Sequence, residues 1–182
     1  VLDTNERSFV ASELKKTINE IVDLDRFIEL IPEVGINIVY ALHGAKTIED
    51  VAGVSGRIVR VKNKVEIAGD VEFGGSKHVA GVVLTVMEFD PKIKAAINIR
   101  HSKEILEACE SQFKVSTFSR DKEPERVETM EWGTQEAIKK SGMVPDAIYD
   151  LGAVGKEPMI RILGKDPKDV LEKLKKVLLS LK

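Results

Sequence analysis

The chain has 182 residues, with 28 Lys and Arg against 30 Asp and Glu and a formal net charge of −2. That length suits one ordinary domain, and the near balance of charge excludes nucleic-acid binding through bulk positive charge, leaving room only for a local basic pocket. Apolar residues make up 43 % of the chain, enough for a core, and the single cysteine, Cys109, cannot form an internal disulfide.

No stretch approaches the roughly 18 consecutive apolar residues of a membrane span. Residues 1–7 lack the apolar run of a signal peptide and a starting methionine. The sequence therefore reads as a single domain over residues 1–182, cut from a longer cytoplasmic protein, with residues 1–11 as a linker from a preceding domain. From Ser12, the apolar positions Leu14, Ile18, Ile21 and Val22 recur at helical spacing. Residues 35–42 read as a buried strand, and residues 56–73 as one or two strands around a turn at Lys62-Asn63-Lys64. Helices are expected over 76–88, 102–111 and 134–140. Strands are expected over 95–99, 114–118, 147–149 and 159–163. Asp166-Pro167 opens the last helix as N-cap and first turn, with Val170, Leu171, Leu174, Val177, Leu178 and Leu181 on its apolar face. Strands mixed with helices throughout predict an α/β fold with helices on both faces of a mixed sheet.

Four segments carry candidate chemistry. In Phe73-Gly74-Gly75-Ser76-Lys77-His78, two glycines leave a strand and Ser76 can cap the following helix, whose free N–H groups attract anions. Lys77 in that first turn opposes the helix dipole, at a cost of a few tenths to about 1 kcal/mol that a phosphate would remove. A plain strand-to-helix turn fits the segment as well. Asn98-Ile99-Arg100-His101-Ser102 and Phe118-Ser119-Arg120 each deliver an Arg at a strand end, where ligands of open α/β sheets gather. Either alone reads as a surface Arg; together they point to a shared anion pocket. Residues 150–158 (Asp-Leu-Gly-Ala-Val-Gly-Lys-Glu-Pro) are not a Walker loop, because Gly152 and Gly155 are too close and Glu157 stands where Ser or Thr must hold magnesium. This segment is either a loop that brings Lys156 and Glu157 to a ligand or a connecting turn. His43, His78 and His101 have no metal-ligand spacing, and no nucleophile elbow is present. Cys109 and Trp132 read as core residues, although Trp132 could also stack a flat ring.

Residues 74–80, Asn98-Ile99-Arg100, Glu131-Trp132-Gly133, and the run from Pro145-Asp146 through Asp150-Leu151-Gly152 to Gly155-Lys156-Glu157-Pro158 resemble, in order, the thiamine-phosphate synthase domain of the ThiN type. That domain is often fused behind a hydroxymethylpyrimidine/phosphomethylpyrimidine kinase. The resemblance runs from about Ser12 to the C-terminus, and Gly-Lys-Glu-Pro is its most specific part. It implies a three-layer α/β/α fold with a mixed sheet, similar to the class II (AraD-like) aldolases. It implies condensation of hydroxymethylpyrimidine pyrophosphate with hydroxyethylthiazole phosphate to thiamine phosphate and pyrophosphate, with Mg²⁺ accompanying the pyrophosphate. It places the family's important Arg and His on Arg57 and His78. Its members carry a basic residue shortly after the His, where this chain has Gly81. On this basis Arg57, His78 and Lys77 face pyrophosphate beside Gly75 and Ser76, while Arg100, Arg120 and Lys156 hold phosphate groups of either substrate. The implied partners are the phosphorylated pyrimidine and thiazole, a fused kinase domain, and other copies of the chain; nucleic acid and membrane are not among them. The same domain type also occurs behind DNA-binding domains, and a thiamine-phosphate sensor without turnover is the alternative function. A metal-dependent aldolase would need clustered histidines that the spacing does not offer.

Overall fold

The computed structural model describes residues 2–182, with side chains from residue 4 onward. Helix α1 (Leu2–Val22) precedes strands β1 (Ile38–Ala41), β2 (Val51–Val54), β3 (Ile58–Val61), β4 (Lys64–Ile67) and β5 (Val71–Phe73). Then follow α2 (His78–Phe89), β6 (Ala95–Arg100), α3 (Lys103–Gln112), β7 (Val115–Thr117), α4 (Thr129–Ser141), β8 (Ala147–Asp150), β9 (Met159–Gly164) and α5 (Pro167–Ser180). Seven strands form one sheet in the order β5-β2-β1-β6-β9-β8-β7, while β3 and β4 form a separate hairpin. The sheet is mixed as expected: the β7–β8 pair is parallel and the other pairs are antiparallel.

The two-residue alternation of the strands separates two apolar layers. Ile38, Tyr40, Ile97, Ile99, Ile160 and Ile162 face α1, α3 and α5, where Leu14, Ile18, Ile105, Cys109, Leu171 and Leu174 complete the larger core. Val39, Ala41, Ala96, Ile148 and Leu163 face α2 and α4, against Val79, Val82, Val83, Val86, Ala137 and Ile138. This is the three-layer α/β/α arrangement. Burial in the first layer pushes the Cys109 thiol up to about 12, so this side chain is a core filler, as expected.

Several boundaries differ from the sequence reading. The segment 2–11, expected as linker, is helical: Val10 is buried, and Arg7 lies 4.6 Å over the Phe73 ring and donates to Asp50 at 3.2 Å. Its polar composition concealed a helix that touches the core mainly through Val10. Strand β2 was not expected, because a four-residue piece holding Gly53 carries little periodicity; Gly53 lets the Ser76 and Val39 side chains approach closely. Residues 56–73 divide into the β3–β4 hairpin, turning at Lys62-Asn63 as read, and β5, which joins the main sheet. Helix α4 starts at Thr129 rather than 134, so Trp132 and Gly133 lie in its first turns. A Cβ on Gly133 would stand 2.4 Å from the Phe118 ring, so this glycine lets α4 approach the sheet. The caps of α3 and α5 match the reading: Ser102 accepts from Ile105 N–H at 3.1 Å and Asp166 from Asp169 N–H at 2.8 Å.

Replacing fully buried Leu14 by Ala should cost about 2–5 kcal/mol of unfolding free energy by urea denaturation, while Phe9→Ala, 57 % exposed one turn earlier, should cost less than about 0.5. Equal, negligible losses would show that α1 is not part of the packed domain.

Candidate active site

The face of the sheet toward α2 and α4 changes character at one end. Moving along it, the apolar positions Val39, Ala96, Ile148 and Leu163 give way to Asn37, Asn98, Asp150 and Arg161, all buried. Asn98 and Arg161 are directly paired across β6 and β9. Asn37 acts as an extra rung of the sheet: its side chain donates to Val54 O at 2.8 Å and accepts from Val54 N–H at 2.9 Å. Asn98 accepts from Asn37 N–H at 2.7 Å and donates to Gly35 O at 3.1 Å. Both amides are therefore committed to the framework, as buried polar groups must be.

Beside them lies a buried charge cluster. The Asp150 carboxylate is completely inaccessible and accepts from Arg120 Nε at 2.7 Å, Arg161 Nη1 at 2.7 Å and Gly152 N–H at 2.8 Å. Gly152 has φ +74°, and a Cβ there would stand 2.4 Å from Lys156 O, so the tight turn back to Lys156 requires glycine. Lys156 reaches Glu123 at 3.7 Å, and Glu123 in turn accepts a hydrogen bond from Thr129. Glu157 accepts from Glu33 N–H at 3.0 Å and Val34 N–H at 3.3 Å, and Arg57 donates to Val34 O at 2.7 Å. Thus Arg57 and Glu157 hold the same loop from two sides. Arg57 has a left-handed backbone, φ 65°, a conformation that costs a non-glycine residue about 1 kcal/mol or more.

These elements enclose a cavity of about 570 Å³ lined by Arg57, Gly75, Ser76, Lys77, His78, Arg120, Lys156 and Arg161, with Met130, Val79, Met159 and Val34 as its apolar part. Every site residue expected from the sequence lies here except Arg100. Arg100 donates to Glu29 O at 3.0 Å and lines a separate cavity of about 470 Å³ with Arg60 and Glu33. The short turn Phe27–Leu30 packs against β6 and supplies that carbonyl, so the side chain turns away. Nor is Ser76 the cap of α2: Lys77 occupies the N-cap, and Ser76 is buried in the cavity wall. Gly75 stands where a Cβ would press within 2.7 Å of Gly53 O. At Gly81 a side chain would meet Met130 at 3.7 Å, without a clash. The sequence reading missed Arg161. Its signal was a lone Arg within an otherwise apolar strand, on the face opposite Ile160 and Ile162.

The cavity gathers positive charge on a chain that is negative overall. Arg57, Lys77, Arg120, Lys156 and Arg161 stand against Asp150, Glu123 and Glu157, five cations to three carboxylates. Counting Glu128, which faces His78, still leaves a positive surplus. Desolvation by the cavity walls, then the Arg57, Arg161 and Arg120 guanidiniums, hold the His78 imidazole below its ordinary pKa. His78 is therefore neutral near pH 7, and a bound anion would favour its protonation. Among the described residues no three His, Cys, Asp or Glu side chains cluster as a metal cage. Glu157 and Asp150 both already accept hydrogen bonds within the protein.

The family model for "Thiamine-phosphate synthase ThiN" matches residues 13–176. The chain belongs to the ThiN family. It is 36 % identical over 175 residues to thiamine-phosphate synthase ThiN of Methanothermobacter thermautotrophicus, covering 93 % of this chain and 92 % of that one. It is 48 % identical over 148 residues to bifunctional thiamine biosynthesis protein ThiDN of Methanocaldococcus jannaschii, covering 80 % of this chain but only 35 % of that protein. Among solved structures, the C-terminal domain of a phosphomethylpyrimidine kinase superposes with a TM-score of 0.89 at 46 % identity, covering 94 % of this chain and all of that one. An aldolase II superfamily protein from Pseudomonas syringae superposes at 0.54 with 8 % identity over 94 % of this chain and 74 % of that one, which shows the shared fold alone. This ThiN-family chain keeps that fold, and among its described residues no histidines cluster. No helix among the described residues is long and apolar enough to cross a membrane.

Sulfate, whose charge is constant across this range, should bind the cavity more tightly as pH falls from about 7.5 to about 5.5, because binding and protonation of His78 favour one another. Calorimetric titration should show this slope in the parent protein and a flatter one in His78→Asn; identical slopes would remove His78 from the anion site.

Proposed function

We propose that this chain is a thiamine-phosphate synthase, joining hydroxymethylpyrimidine pyrophosphate to hydroxyethylthiazole phosphate. In this reaction the bond from the pyrimidine methylene carbon to pyrophosphate breaks, and the thiazole nitrogen forms the new C–N bond with its own lone pair. No proton has to be removed and no protein nucleophile is needed. The enzyme's task is to hold two anionic substrates in line and to stabilise charge growing on the departing pyrophosphate. The observation that carries this reading is the positive surplus converging on the cavity at the α2 N-terminus. Arg57, His78 and Lys77 line the cavity beside the α2 N-terminus, with Gly75 and Ser76 entering it; they are the group assigned to pyrophosphate. Arg120 and Lys156 on the opposite loops are assigned to phosphate groups. Arg100 drops out of the assignment. Mg²⁺ fits as a counterion carried in with the pyrophosphate.

The chain spans about a third of the bifunctional relative, 35 % of its length. A fused kinase domain is therefore proposed as a partner, with any kinase chemistry outside this domain. The relatives' biosynthetic names support a synthase over a sensor. A cytoplasmic setting fits an enzyme whose one thiol is buried in the core.

The test is release of pyrophosphate from the two phosphorylated precursors with magnesium. The parent protein should turn over, and Arg57→Ala and His78→Ala should each lower kcat/KM by about 100-fold or more. Unchanged rates in both variants would remove the assignment, while tight thiamine-phosphate binding without turnover would favour the sensor.

A further inference from the structure

The three-residue cluster on the cavity wall holds one charge too many. Arg120 and Arg161 have side chains 10 % and 5 % exposed, and the carboxylate between them is fully buried. Two guanidiniums against one carboxylate leave one positive charge in excess in a poorly solvated wall of the cavity. Each Arg spends a single N–H on Asp150, Arg120 through Nε and Arg161 through Nη1. Neither guanidinium has another hydrogen-bond partner among the described residues, and both border the cavity. The Arg161 guanidinium carbon lies 5.6 Å over the Phe118 ring. Across the strands it stands opposite Asn98, whose amide is fixed by Asn37 and Gly35. The Asp150 carboxylate accepts three hydrogen bonds, two on Oδ1 and one on Oδ2, and has no exposed surface, so it faces its guanidiniums rather than a ligand in the cavity. What it can do is prevent two like charges from separating and aim their remaining donors the same way.

We propose that Arg161 is a phosphate-binding residue of this site, paired with Arg120 in a clamp for one phosphate dianion, and that Asp150 is the positioning residue that builds the clamp. The proposal rests on the synthase activity above for the identity of its ligands. The dianion is either the terminal phosphate of the pyrophosphate moiety or the monophosphate of the thiazole; both present the same oxygens to two forked donors. Because Asp150 also bonds Gly152, the clamp is tied to the loop that carries Lys156. Arg120, Arg161 and Lys156 therefore reach the ligand as one unit.

The clamp predicts a result opposite in sign to simple charge counting. Asp150→Asn removes a negative charge from the site, so electrostatics alone would tighten anion binding. If the carboxylate positions the arginines, binding weakens instead. The experiment titrates the parent protein, Asp150→Asn and Arg161→Lys with inorganic pyrophosphate and, separately, with hydroxyethylthiazole phosphate. Heat of binding gives the affinity. The fluorescence of Trp132, the only tryptophan, gives a second signal, since it packs edge-on against Phe118 at 6.2 Å below Arg161.

Both variants should lose about 10-fold or more in affinity for at least one of the two anions, although Arg161→Lys preserves charge. The anion that loses more identifies the occupant of the clamp, and the KM of the corresponding substrate should rise more than kcat falls. Unchanged or tighter binding of both anions in the two variants would overturn the proposal. If Asp150→Asn does not fold, Arg161→Lys decides alone: an affinity within about 2-fold of the parent for both anions overturns the clamp. A parent protein that binds neither anion would instead overturn the synthase reading itself. A parent that binds and turns over, with both variants unaffected, would overturn only the clamp.

Discussion

A buried carboxylate shared between two guanidiniums sets the character of this molecule. Asp150, Arg120 and Arg161 are largely removed from water at the end of a sheet whose face runs from Val, Ala, Ile and Leu through Asn37 and Asn98 to this cluster. Such a cluster is a poor way to gain stability, because desolvating three ions offsets most of their mutual attraction. Packed hydrocarbon would have served the fold better. Its presence, with one positive charge left over, makes sense as a receptor for an anion arriving from solvent.

The rest of the architecture serves to bring distant segments to that wall. Strands β6 and β9 supply Asn98 and Arg161 in register, and β8 ends on Asp150. The α2 N-terminus enters from the far side, and Gly53 and Gly75 let it approach the sheet. Glu157 and Arg57 fasten the loop at residues 32–35 between them, closing the lower edge. In Gly-Lys-Glu-Pro the Lys lines the cavity while the Glu is a structural clasp, and Gly152 fixes the turn that delivers both. Fold-level similarity to the class II aldolases thus extends to the scaffold and not to the chemistry, which depends on side chains placed on it.

Where local chemistry determines structure, the sequence was legible. Asp166-Pro167 and Ser102 cap the helices they were expected to cap, the hairpin turns at Lys62, and the Leu and Val stripes find the core. Elements held by tertiary contacts were not legible. Residues 2–11 look like a polar linker until Val10 and Arg7 meet the domain, and β2 is too short to announce itself. The site followed the same rule. Gly75 through His78 and Arg57, singled out by motif and resemblance, line the cavity. Arg100 does not, and Arg161, which does, was not singled out, because which Arg reaches a cavity depends on strand register and on what covers a strand end. A charged residue inside the apolar run Met-Ile-Arg-Ile-Leu was the overlooked sign: its period-two position places it beside Asn98 rather than in solvent.

The central claim is that the cationic cavity, and not some other basic patch, receives the phosphate groups. A crystal structure of the protein with pyrophosphate tests it most directly. The account predicts pyrophosphate density within the cavity lined by Arg57, Lys77, His78, Arg120 and Arg161. Pyrophosphate lodged instead in the separate cavity of Arg60 and Arg100, with the Asp150 wall empty, would contradict it.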